Sequence, residues 1–87
     1  MGIRETFKAL SDDYRREILD MLKNGRMTAG SIGERFEMTQ ATVSHHLSVL
    51  KEADLVRTER DGKYIYYELN TSVFDDCLSW ILSFKEE

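Results

Sequence analysis

Thr39-Gln40-Ala41-Thr42-Val43-Ser44-His45-His46-Leu47-Ser48-Val49-Leu50 contains no charged residue, in a chain where 32% of residues are Asp, Glu, Lys or Arg. At that frequency, a run of twelve uncharged residues arises from composition alone roughly one time in a hundred. Val43, Leu47 and Leu50 fall at i, i+4 and i+7, which puts them on one stripe of a helix and leaves the opposite side free. That side carries Ala41, Ser44, His45 and Ser48, with Gln40 and Thr42 on its shoulders. A solvated helix face ordinarily carries Lys and Glu. Short, neutral, hydrogen-bonding side chains instead suit a helix lying close against another polar surface. The DNA major groove is such a surface, where Gln pairs with adenine, Ser and Thr with several base edges, and an Ala or Thr methyl with the thymine methyl. A helix packed against a second helix is the competing reading.

Upstream, Thr28 caps a short helix predicted over 29–36 with Ile32 and Phe36 inward, Glu37-Met38 is a tight turn, and Thr39 caps the uncharged helix, predicted over 40–53. Two helices joined by so short a turn form a helix-turn-helix. Further upstream, a helix over 4–10 has the stripe Ile3, Phe7 and Leu10, predicted to be buried, and Ser11-Asp12 caps another over 13–23. The latter turns Ile18, Leu19 and Leu22 inward and stops at Asn24-Gly25. The opening Met1-Gly2-Ile3-Arg4-Glu5-Thr6 also fits a loose myristoylation pattern, which the helical stripe makes unnecessary.

Downstream of Ala53-Asp54 the period changes from 3.6 to 2. Asp61-Gly62 reads as a two-residue hairpin turn, pairing Arg60 with Lys63, Thr58 with Ile65 and Val56 with Tyr67. Val56, Thr58, Ile65, Tyr67 and Leu69 then share a face toward the helices, while Arg57, Tyr64 and Tyr66 look away. A hairpin directly after such a helix is a wing. Asn70-Thr71 caps a last helix running to about residue 84, whose Val73, Phe74, Cys77, Leu78, Trp80, Ile81, Leu82 and Phe84 are too many for one face. A second copy of the chain is the simplest cover for the surplus. The expected fold is mainly α with a small antiparallel hairpin, an α+β winged helix-turn-helix in the order α-α-α-α-β-β-α, occupying residues 1–87 as one domain.

A chain of 87 residues supports a modest core, which dimerisation would reinforce. No apolar run nears the ~18 residues of a membrane span and no signal-peptide pattern opens the chain, so a soluble, cytoplasmic protein without membrane insertion is expected. The single cysteine, Cys77, has no internal disulfide partner. Net charge is −4, unlike that of an electrostatically driven architectural DNA binder. Charge is uneven, however: residues 14–35 hold five basic residues (Arg15, Arg16, Lys23, Arg26, Arg35) against three acidic ones, a local +2. Residues 71–87 hold four acidic residues against Lys85, a local −3, so the last helix is expected to face away from any DNA. No enzyme is expected: Ser44 and His45 diverge around their helix, no carboxylate orients the imidazole, and neither a phosphate loop nor a paired-cysteine motif occurs.

Three ordered blocks resemble the ArsR family of bacterial winged-helix regulators. They are Phe7 to Asp12 followed by Arg15-Arg16-Glu17-Ile18-Leu19, then Thr42 to Val56, then Arg60-Asp61-Gly62-Lys63 with Tyr66-Tyr67-Glu68-Leu69. Asp13 departs from the proline often found at the start of the family's second helix. The resemblance implies a homodimeric repressor of double-stranded operator DNA, joined through its first and last helices and reading a roughly palindromic site. Many members sense metals through cysteines before the recognition helix, where this chain has Thr28-Ala29-Gly30, or through carboxylates and histidines on the last helix, where it has Asp75 and Asp76 and no histidine. Neither a metal nor a cofactor is expected, and the chain is most similar in character to the SdpR-type autorepressors that bind no metal.

The candidate DNA contacts are therefore Thr28 and Thr39 as caps facing phosphates, Gln40, Ala41, Thr42, Ser44, His45, Ser48 and Lys51 along the helix, and Arg57, Arg60 and Lys63 on the wing. His45 points outward; beside a phosphate its protonated form is favoured, and binding weakens as pH rises through its titration. His46 leans inward as a hydrogen-bonded spacer. Candidate dimer contacts are Ile3, Phe7, Leu10, Phe74, Cys77, Leu78, Trp80, Ile81 and Phe84. A protein-binding winged-helix module, a sensor with a non-standard ligand site and a protein that sequesters the dimer remain open alternatives.

Overall fold

Capping residues set most element boundaries in the computed structural model, which describes residues 2–85. The order is α1 (Ile3–Leu10), α2 (Asp13–Leu22), β1 (Met27–Thr28), α3 (Ala29–Gly33), α4 (Gln40–Glu52), β2 (Val56–Asp61), β3 (Tyr64–Leu69) and α5 (Thr71–Ser83). Of the pair Ser11-Asp12, the cap is Asp12, whose carboxylate accepts from the Tyr14 and Arg15 amides at 2.8 and 3.1 Å. Burial acts to raise the Asp12 pKa, but these amides and the neighbouring Arg15 cation outweigh it and hold the carboxyl below its usual range. The Thr28 and Thr39 hydroxyls accept from the Ser31 and Thr42 amides at 3.1 and 3.2 Å. Asn70 departs from expectation: instead of capping α5 it donates from Nδ2 to the Asp54 carbonyl at 3.0 Å, tying the start of α5 to the end of α4.

Two other boundaries shift for local reasons. The helix predicted over 29–36 ends at Gly33, because the Arg35 and Phe36 amides bond three residues back, to the Ile32 and Gly33 carbonyls. At the end of α4, the Asp54 amide bonds the Lys51 carbonyl and the Leu55 amide bonds the Leu50 carbonyl. This Schellman arrangement needs a left-handed residue, and Asp54 supplies it with φ 59°.

The wing is one strand larger than predicted. β1 adds to the hairpin through Met27↔Tyr67 and Thr28↔Tyr66, giving an antiparallel sheet in the order β1-β3-β2. Its two residues are too few to show a period in sequence. The hairpin register also differs: Asp61 pairs with Tyr64, Arg60 with Ile65, Thr58 with Tyr67 and Val56 with Leu69. The loop is therefore Gly62-Lys63, and of these only Gly62 has positive φ, as a glycine-first hairpin turn requires. A slip of two residues keeps every side chain on its expected face. Ile65 is nevertheless 48% exposed, because its partner Arg60 lies near the hairpin tip, away from the core.

The core draws Ile18, Leu19 and Leu22 from α2, Ile32 from α3, Val43, Leu47 and Leu50 from α4, Leu55 and Val56 from the entry to the wing, and Val73 from α5. α1 contributes Ala9 and, beside it, Thr6, not the stripe predicted to be buried: Ile3 and Phe7 are 46% and 40% exposed, and Leu10 is half-buried. The small Thr6 and Ala9 are thus the residues of α1 that enter the protomer, and Ile3 and Phe7 are left exposed. Among the described residues, no helix is long and apolar enough to cross a membrane.

Candidate nucleic-acid interface

α4 separates its two faces sharply. Val43, Leu47 and Leu50 are 0–1% exposed, whereas Gln40, Ala41, Thr42, Ser44, His45, Ser48 and Lys51 are all exposed. His46 is buried as expected, with Nδ1 3.3 Å from Arg15 Nη1. At the amino end of α4, Gln40 lies across α3, where a Cβ at Gly33 would collide with its amide and touch Val43 Cγ2 at 3.5 Å. Thr42 has a double engagement, its hydroxyl lying 3.0 Å from the capping Thr39 hydroxyl.

The wing cations divide into free and engaged. Arg57 faces Glu68 across the ladder and donates to it at 3.0 Å, so its charge is already matched. Arg60 reaches back to the Gly62 carbonyl at 3.4 Å, and Lys63 sits 5.3 Å from the centre of the Tyr64 ring. Arg26 is the contributor that sequence reasoning missed. Its guanidinium lies 4.2 Å from the Tyr66 ring centre and binds Asp61 at 2.8 Å and Glu59 at 3.5 Å, and the Asp61 carboxylate acts to raise its pKa. Arg26 therefore neutralises the acidic residue at the wing tip, where Arg60 and Lys63 carry no ion pair among the described residues.

The local excess of basic charge in residues 14–35 is correspondingly reduced. Arg15 is buried, Arg16 pairs with Asp13, Lys23 with Asp20 at 2.9 Å, and Arg26 with the wing; among the described residues Arg35 alone of the five forms no such contact. Around the motif and the wing tip, Arg35, Lys51, Arg60 and Lys63 form no ion pair among the described residues. Uncharged reading face, short-turn helix pair and basic wing tip together make a DNA-binding surface in form.

Relatives carry the same form. The chain matches the helix-turn-helix domain family over residues 10–59. It is 49% identical over 82 residues to the transcriptional repressor SdpR of Bacillus subtilis (strain 168), covering 94% of this chain and 91% of that protein. An ArsR-like transcriptional regulator from Rhodococcus sp. RHA1 is similar at a TM-score of 0.90 and 25% identity, over 95% of this chain and 76% of the other. The chain belongs to the ArsR family of winged helix-turn-helix regulators. The homodimeric winged helix-turn-helix DNA-binding domain of a Mycobacterium bovis protein is also similar, at a TM-score of 0.76 and 28% identity over 93% of this chain and 77% of that one.

As an ArsR-family protein the chain shows two further features. Among the described residues no group of three or more His, Cys, Asp and Glu converges in a way that could hold a metal ion. Its second surface is apolar: Leu78, Trp80, Ile81 and Leu82 are 46–54% exposed and Phe84 72%, beside the exposed Ile3 and Phe7. Trp80 meets Phe7 edge-on at 5.8 Å and Phe84 at 4.9 Å, joining α1 and α5 into one patch. Phe74 and Cys77 are half-buried: Phe74 packs on the core, and Cys77 lines a pocket of about 180 Å³ with Ile3, Thr6, Val73 and Asp76. These two serve the protomer as much as the patch.

Proposed function

We propose that this chain is a sequence-specific repressor that binds operator DNA as a homodimer in the cytoplasm, α4 reading bases and the wing holding the backbone. The observation that carries the reading is the outer face of α4, which is exposed, uncharged from Gln40 to Leu50 and backed by an inner face in the core. Gln40, Ala41, Thr42, Ser44, His45 and Ser48 supply base-edge groups. Lys51, Arg60, Lys63 and the amino ends of α3 and α4 at Thr28 and Thr39 supply phosphate contacts. Arg57, matched by Glu68, is the weakest of the proposed contacts.

The relative SdpR is a repressor, and the Mycobacterium bovis domain is a homodimer that binds DNA. The same assembly here uses the apolar patch on α1 and α5, with Ile3, Phe7, Leu78, Trp80, Ile81 and Phe84 at its centre and Leu10, Phe74 and Cys77 at its inner edge. Two-fold symmetry then sets the two α4 helices in successive major grooves, about one helical turn apart. No catalytic role is assigned to any residue.

Titrating the chain with DNA from its own promoter across a salt series tests the reading. Preferential binding whose log affinity falls linearly with log salt supports it. A flat salt response, or no binding, would favour a protein-binding module instead.

A further inference from the structure

We infer that Arg15 is a positioning residue for DNA readout, fixing the recognition helix α4 on the dimerisation helix α1 through His46; this rests on the operator-binding reading above. Arg15 is charged yet only 9% exposed. From α2 its guanidinium spans two further elements: Nε donates to the Ala9 carbonyl at 2.8 Å, Nη2 to the Lys8 carbonyl at 3.0 Å, and Nη1 lies 3.3 Å from His46 Nδ1. Guanidinium keeps its protons, so Nδ1 of His46 is the acceptor of that pair. The two carbonyls belong to the last turn of α1, where the helix dipole is negative, which offsets the desolvation of the buried cation.

The geometry does what apolar packing cannot. Val43, Leu47 and Leu50 hold α4 to the core through contacts with little directional preference, which tolerate small rotations of a helix about its axis. A planar fork bonded to two fixed carbonyls and one imidazole nitrogen does not. His46 adjoins His45 in the chain, and Ser44 and Ser48 lie within a turn, so any rotation that breaks the Arg15 contact re-aims the reading face. In a dimer joined through α1, the same fork sets the angle of each α4 relative to the two-fold axis. Non-specific phosphate contacts from Arg60, Lys63 and Lys51 depend on that angle far less.

The test compares affinity for the chain's own promoter with affinity for unrelated DNA of equal length, at one salt concentration, beside sedimentation and thermal melting. Arg15→Met and His46→Leu should lower the promoter-to-unrelated ratio about tenfold, the scale of a coupled hydrogen-bond network, while leaving unrelated DNA and dimerisation within about twofold. His46→Asn, which returns an acceptor near the Nδ1 position, should restore most of the ratio. Leu22→Val, a core truncation elsewhere on α2, should lower the melting temperature without moving the ratio. If Arg15→Met does not fold, His46→Leu and His46→Asn decide the matter. Variants that lose stability but keep the wild-type ratio would overturn the positioning role alone. A wild-type chain with no preference for its promoter would overturn the operator-binding reading and this inference with it.

Discussion

Helices α4 and α5 are each 13 residues long and both carry several apolar side chains, yet four residues of α4 are buried and only one of α5. In α4 the buried Val43, His46, Leu47 and Leu50 share one side and the remainder is small and polar. In α5 the apolar residues run around the helix, so after Val73 enters the core Leu78, Ile81 and Leu82 are left about half-exposed. Apolar content alone therefore does not fix burial. A one-sided helix is completed by its own chain and presents polar groups outward, whereas an all-round apolar helix leaves an exposed patch that calls for a second molecule.

Mutagenesis puts this contrast between the two helices at risk. Leu47→Ala, at a residue 1% exposed, should destabilise the protomer by about 2–5 kcal/mol in urea denaturation at low protein concentration. Leu82→Ala, at a residue 47% exposed, should do so far less under the same conditions, and equal losses would erase the distinction. Trp80→Ala should weaken self-association by about 2 kcal/mol, some thirtyfold in sedimentation equilibrium, if the α5 patch is a dimer interface. An unchanged dimer constant would remove α5 from that role.

On the α4 side, Gln40→Ala and His45→Ala should each remove about 1–3 kcal/mol of preference between matched and mismatched operator DNA, with the dimer intact. Undiminished discrimination would mean the uncharged face reads nothing. Smaller effects come from the wing: Arg60→Ala and Lys63→Ala should each flatten the salt slope by about 0.9 for every phosphate left without its cation. Arg57→Ala, whose side chain is bonded to Glu68, should leave the slope nearly as it was.

The smallest effect concerns the mooring beneath α4. Because the Asp12 carboxyl sits below its usual range in the folded protein, its contribution is complete above the ordinary carboxylate value and is lost as pH falls through the lowered one. Asp12→Asn retains a capping oxygen without the titration. It should therefore unfold less steeply than wild type below about pH 4.

Much of the candidate reading surface was legible because it rests on near neighbours. The α4 stripe follows from a 3.6 period, and Asp12, Thr28 and Thr39 act as caps within three residues of their partners. The wing faces follow from alternation, which survives a two-residue error in register, whereas the register turns on which residue takes positive φ. Gly62 takes it with far less strain than Asp61 would. The burial of Thr6 and Ala9 in place of Ile3 and Phe7 was not legible, since an amphipathic stripe does not say whether its cover lies in the same chain.

The order of residues along the chain is enough to place the helices and the two strands of the hairpin, to choose which side of α4 enters the core, and to show that α5 carries more apolar surface than one face can bury. These are consequences of periodicity, capping and composition, all settled over short spans of chain. The fate of individual charges is set only once the elements are assembled. Arg15 reaches His46 across 31 residues and Arg26 reaches Asp61 across 35, so of two cations that looked available for phosphate one is buried and the other is paired on the surface. Such pairings depend on how α2, α4 and the wing are brought together, and nothing within a few residues of either arginine encodes its partner.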